Sequence, residues 1–164
     1  MPHPIILWDA SGFVKRYFTE TGTETVNAIF ASTPRQFMAI TPLGYAETYS
    51  ILLRRYNGGV LKLATFNNEA SNLKDEVLGI FGFRTLSVSD AIIFGSLLLM
   101  QAHNINSAEA AILATYLRFQ KASRQPCLLV ASDKRLLRAA MAEGLNGLNP
   151  EEVAAGDIPG WVSL

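Results

Sequence analysis

Short, mostly apolar runs alternate along this chain with longer segments whose apolar residues recur at helical spacing. The runs "PIILW" (Pro4–Trp8), "QFMAIT" (Gln36–Thr41), "FRTLSV" (Phe83–Val88), "PCLLVAS" (Pro126–Ser132) and "LNGL" (Leu145–Leu148) read as strands. Between them the pattern predicts helices over Ser11–Phe18, "GTETVNAIFAS" (from Gly22 or Thr23), Leu43–Tyr56, Val60–Val77, a segment capped by Ser89 or Asp90 and running to Met100, Ser107–Lys121, and "DKRLLRAAMAE" up to Gly144. Pro42 suits a first helical turn, and "NGG" stops the helix that follows. Ser107 can cap its helix, although Ala110 three residues on does not complete a capping box. Strands that are apolar throughout and separated by helices predict a parallel sheet covered on both faces. The expected fold class is therefore α/β, a single-domain three-layer sandwich around a mostly parallel sheet of about four or five strands. The domain is expected over 1–150, and the irregular tail 151–164 is expected to dock on it through Trp161.

Composition narrows the partners. With 164 residues, 49% of them hydrophobic and 17% charged, the chain can bury a large core. Its 14 basic and 14 acidic residues cancel, so a nucleic-acid ligand needs a local basic patch. The single cysteine, Cys127, excludes an internal disulfide and suits a reducing compartment such as the cytoplasm; in a buried strand it reads as a packing residue. The start, "MPHPIILWDASG", has no basic region and too short an apolar run for a signal peptide. "AIIFGSLLLMQAHNI" falls short of the roughly 20 residues that span a bilayer, so no membrane partner is expected.

The candidate chemistry lies in four carboxylates. Two strands end on an acid that is followed by a helix, "IILW" on Asp9 and "CLLVAS" on Asp133. Each fits a helix N-cap, but both fall at the sheet edge where parallel folds bind ligands. Glu109 stands within an apolar stripe of Ile105, Ile112, Leu113 and Tyr116. There a charge is costly unless it is paired or metal-bound; the plainer account is a glutamate near a helix start, partly exposed and favoured by the dipole. Glu47 has the mixed neighbours Ser50, Ile51 and Arg54, and fits a surface position or an ion pair with Arg54 equally well. All-oxygen donors suit a hard cation. His3 and His103, far apart, read as surface or capping residues.

"LWDASGFVKRYFTETGTE", "TPLGYAETYSILLRRYNGG", "INSAEAAILATYLRF" and "LLVASDKRLLRAAMAEGLNGLNPEE" together resemble the PIN domain family, in particular the toxin nucleases of toxin–antitoxin pairs. Each motif is weak alone; their joint order and spacing, from Ile5 to about Glu152, carry the resemblance. It implies that Asp9, Glu47, Glu109 and Asp133 form the catalytic and metal-binding set, holding Mg²⁺ or Mn²⁺ for RNA hydrolysis. Glu109 stands where the family usually has Asp, and the extra methylene moves the carboxylate by about 1.5 Å. Ser11 falls where the family often has Ser or Thr close to the metal. The resemblance also implies a cytoplasmic homodimer and a small antitoxin protein as partner.

An RNA substrate needs cations near this pocket. Lys15, Arg16, Arg54, Arg55, Lys134 and Arg135 flank the acids in sequence. Lys134 and Arg135 begin a helix, where the dipole disfavours cations. Ser11, Lys15, Arg16, Lys134 and Arg135 are the substrate-contact candidates, with a solvated helix face as the alternative for each cation. Phe13, Tyr17 and Tyr56 have the chemistry to stack on bases, and their spacing suits core positions. Two other functions compete with a ribonuclease. One is a PIN-like RNA- or protein-binding module with weak or lost catalysis. The other is a phosphatase with Asp9 as nucleophile; that chemistry usually wants a second Asp two residues on, where this chain has Ser11.

Overall fold

A computed structural model describes residues 3–163. Five strands form one sheet in the order β3-β2-β1-β4-β5, every pair parallel: β1 (Ile5–Trp8), β2 (Met38–Ile40), β3 (Arg84–Thr85), β4 (Cys127–Val130) and β5 (Asn146–Leu148). The helices are α1 (Ala10–Phe13), α2 (Thr23–Ser32), α3 (Pro42–Asn57), α4 (Leu63–Leu78), α5 (Asp90–Gly95), α6 (Leu97–His103), α7 (Ser107–Ser123), α8 (Lys134–Ala142) and α9 (Ile158–Trp161).

The all-apolar strands β1, β2 and β4 feed two cores because alternate side chains leave a strand on opposite faces. Ile6, Trp8, Met38, Ile40, Leu128 and Val130 join one cluster, with Val26 and Ile29 of α2, Leu52 of α3, and Leu73 and Val77 of α4. Ile5, Leu7, Ala39, Cys127 and Leu129 join the other, with Ile112, Leu113 and Tyr116 of α7 and Leu136, Leu137 and Ala140 of α8. Trp8 is fully buried and lies 5.3 Å from both the Phe13 and Phe30 rings. Phe13 and Tyr17 are buried in the same core, and Tyr56 stacks on Phe66 at 5.3 Å, so all three act in packing.

Three elements differ from the sequence expectation. The third strand shrinks to Arg84–Thr85, both exposed at the sheet edge, where only one neighbour stabilises it. The helix expected to run to Met100 breaks at Ser96, which is buried and donates its hydroxyl to the Ile93 carbonyl at 2.7 Å; such back-bonding competes with the helical ladder. The tail contains the short helix α9, started with Pro159 in its first turn, and it sends Ile158 and Val162 into the core. Trp161 packs against the same cluster. Among the described residues no helix is long and apolar enough to cross a membrane.

Candidate active site

Parallel strands deliver their following residues to one edge of the sheet. Asp9 leaves β1 there in extended conformation (φ −95°, ψ 150°) and caps α1. Its Oδ2 accepts from the Ser11 amide (2.9 Å) and the Ser11 hydroxyl (2.5 Å). The same Ser11 oxygen accepts from the amides of Ser132 (2.9 Å) and Asp133 (3.2 Å), which ties the ends of β1 and β4 together. Gly12 permits this approach, since a Cβ there would stand 2.8 Å from the Val130 carbonyl oxygen. Asp133 caps α8, its Oδ1 accepting from Arg135 (2.8 Å) and Leu136 (3.2 Å) amides.

Glu109 is held by a capping box that includes Asn106. Asn106 Oδ1 accepts from the Glu109 amide at 2.9 Å, and Glu109 Oε2 accepts from the Asn106 amide at 3.0 Å. Asn106, rather than Ser107, is therefore the cap. The pattern Asn-x-x-Glu one residue upstream was its sequence signal. Glu47 projects from α3 into the same space. Asp9, Ser11, Glu47, Ser50, Arg54, Asn106, Glu109 and Asp133 line one cleft of about 340 Å³.

Electrostatics agrees with this proximity. Burial raises the Asp9 carboxyl above its ordinary range; Ser11 opposes the rise, while the charges of Asp133 and Glu109 add to it. Glu47 is raised by burial, then by Asp9 and Glu109, and Arg54 opposes. The alternatives left open by the sequence thus merge: Asp9 and Asp133 are caps that also face the cleft, and Glu47 shares it with Arg54.

The predicted cations separate. Lys15 is buried and bound to Glu20 (3.1 Å) and Glu151 (2.7 Å), which occupies it away from the cleft. Arg16 pairs with Glu76 (2.9 Å), lies 4.4 Å over the Phe30 ring, and lines a different cleft with Tyr17 and Arg35. Sequence adjacency to Asp9 was misleading because the 3-10 turn Val14–Arg16 aims Arg16 at α4 and Lys15 at the loop residues Glu20 and Glu151. Lys134 is exposed and pairs with Glu152 at 2.8 Å. Arg135 stays at the rim, 3.6 Å from Glu109. Arg54, which lines the cleft and donates to Ser50 Oγ at 3.0 Å, is the better-placed cation. His3 bonds the Val162 carbonyl and His103 bonds Glu143, both outside the cleft lining.

The oxygen donors fit a hard cation in type. They are not preformed as a cage: among the described residues, no three His, Cys, Asp or Glu side chains stand close enough to hold one ion directly. Asp9, Glu109 and Asp133 each commit an oxygen to a cap, so each has the other to offer.

Solved structures share this architecture. VapC20 of Mycobacterium tuberculosis, a sarcin-ricin-loop-cleaving toxin, aligns over 85% of this chain and 95% of its own at 16% identity (TM-score 0.63). The fold is that of the PIN domain. FitAcB from Neisseria gonorrhoeae covers 90% of this chain and 99% of its own at 18% identity (TM-score 0.63). A toxin–antitoxin complex from Klebsiella pneumoniae covers the same shares at 18% identity (TM-score 0.56). No family model and no curated protein sequence matches the chain. At these identities the PIN likeness concerns the sheet and its helices, and the site stands on its own geometry.

Proposed function

We propose that the protein is a ribonuclease that hydrolyses RNA phosphodiester bonds with Mg²⁺ or Mn²⁺ held by Asp9, Glu47, Glu109 and Asp133. The observation that carries this reading is the meeting of four carboxylates, from three helix starts and one helix interior, in one cleft with Arg54 beside them. Crowded, half-desolvated acids cost free energy unless a cation offsets them. Because Mg²⁺ keeps several of its waters, acids that cannot all touch one ion can still hold it through water. Bound there by these acids, such an ion would supply Lewis-acid chemistry, activation of a water and stabilisation of the leaving oxygen. Ser11 fixes one Asp9 oxygen and so orients the other. Arg54 and Arg135 offer charge-assisted hydrogen bonds to phosphate oxygens.

The test is cleavage of defined RNAs with Mn²⁺, with Mg²⁺ and with chelator. Metal-dependent 3′ or 5′ products are expected, and full cleavage in chelator would sink the metal-dependent reading. The capping oxygens already engaged on Asp9, Glu109 and Asp133 favour one alternative, a PIN-like RNA- or protein-binding module with weak or lost catalysis. RNA binding without cleavage under every metal would select it.

The neighbours named above as a toxin and as a toxin–antitoxin complex support a further part of the reading, a toxin of the cytoplasm restrained by a small antitoxin protein. For a homodimer, the supporting feature is the face of α5 and α6. Ile93, Phe94, Leu97 and Leu98 are exposed there, and residues 91–102 contain no charge to oppose self-association. Phe94→Glu is expected to shift the protein from dimer to monomer in sedimentation equilibrium. A wild-type monomer at tens of micromolar would overturn this part alone.

A further inference from the structure

Tyr116 lies on α7 seven residues beyond Glu109, two turns along the same face, and is fully buried. Helical side chains lean toward the helix start, so its ring runs back toward the end that carries Glu109. Its hydroxyl donates to the Trp8 carbonyl at 2.5 Å, immediately before Asp9. Burial explains the ring but not the hydroxyl, because a buried hydroxyl is costly unless it is bonded. Here it ties the helix that carries Glu109 to the strand end that presents Asp9.

Resting on the ribonuclease reading, we propose that the Tyr116 hydroxyl is a positioning group that sets Asp9 and Glu109 in register across the cleft. It touches neither substrate nor ion and acts through the Trp8 carbonyl. Acids that meet an ion partly through water depend on their backbones for spacing, so loosening this junction lowers turnover more than RNA affinity.

Tyr116→Phe removes the hydroxyl and keeps the ring. The control is Ile112→Val, a buried methylene deletion on the same helix. Amide exchange by mass spectrometry or NMR reads the junction without any activity. Exchange at Ser11, the capped amide of α1, is expected to rise about tenfold in Tyr116→Phe over Ile112→Val, while amides of the β4–β5 pairing change equally in both. In single-turnover cleavage at saturating Mn²⁺, the rate constant is expected to fall about tenfold with RNA affinity within about twofold, and Ile112→Val to keep its rate. Exchange at Ser11 equal to the control overturns the proposal. So does a rate loss shared with the control, since that would be general destabilisation. Should the wild type cleave no RNA, the ribonuclease reading fails, and the exchange comparison alone decides for or against Tyr116.

Discussion

Asp9→Asn is expected to abolish metal-dependent RNA cleavage, lowering it on the order of 10³-fold, or about 4 kcal/mol of transition-state stabilisation, while the protein stays folded. The amide oxygen still accepts the Ser11 bonds that cap α1, so the local structure survives. Stability should move in opposite directions with and without metal. Without metal, burial holds the native Asp9 carboxyl above its unfolded range. A group raised in this way favours the fold when protonated, and that contribution is lost as pH rises through its native pKa. At neutral pH the ionised carboxylate therefore opposes folding. Asn should raise the melting temperature by a few degrees at neutral pH, and the gain should vanish toward acid. With metal the order inverts, because an ion bound only by the native state adds about 2.7 kcal/mol at a hundred times its dissociation constant. Thermal melts of both proteins from acid to neutral pH, with and without Mn²⁺, read all three effects. An equal metal-induced rise in both would place the binding elsewhere.

Glu109→Gln should leave the melting temperature nearly unchanged and lower cleavage roughly 10–100-fold, the range for groups that tune a metal site from beside it. Glutamine fills the N3 position of a capping box as glutamate does, so the bond to the Asn106 amide persists. What is lost is the charge beside Asp9 and Glu47. Glu109→Asp tests the converse. From the resemblance alone, Asp would restore the usual ligand. The structure argues otherwise, because a side chain shorter by about 1.5 Å cannot reach back to Asn106. Asp should therefore destabilise the helix start by roughly 1 kcal/mol and lower cleavage less than Gln does. Unchanged cleavage by Glu109→Gln would remove Glu109 from the working site and leave Asp9, Glu47 and Asp133.

The sheet and three of its acids were legible in the chain because they rest on local rules. A four-residue apolar run such as Ile5–Trp8 is stable only when covered on both faces, and the helix after it needs an acceptor at its start, which Asp9 supplies. Glu109 stood out because its neighbours at helical spacing are apolar, and those neighbours are indeed buried. The cations were not legible. Arg54 and Arg55 are adjacent in sequence but about 100° apart around α3; Arg54 lines the cleft, while Arg55 lies over Phe18 and bonds Glu20. Lys15 meets Glu151, 136 residues away, a partner that no local pattern names. Nor could the sequence tell that Ser11 would bond the amides of Ser132 and Asp133, because that contact exists only when β1 and β4 are neighbours in the sheet. Periodicity and capping act within a few residues and so determined the elements and their acids. Strand order and helix rotation are decided by packing the whole chain, and they selected which charges share the cleft.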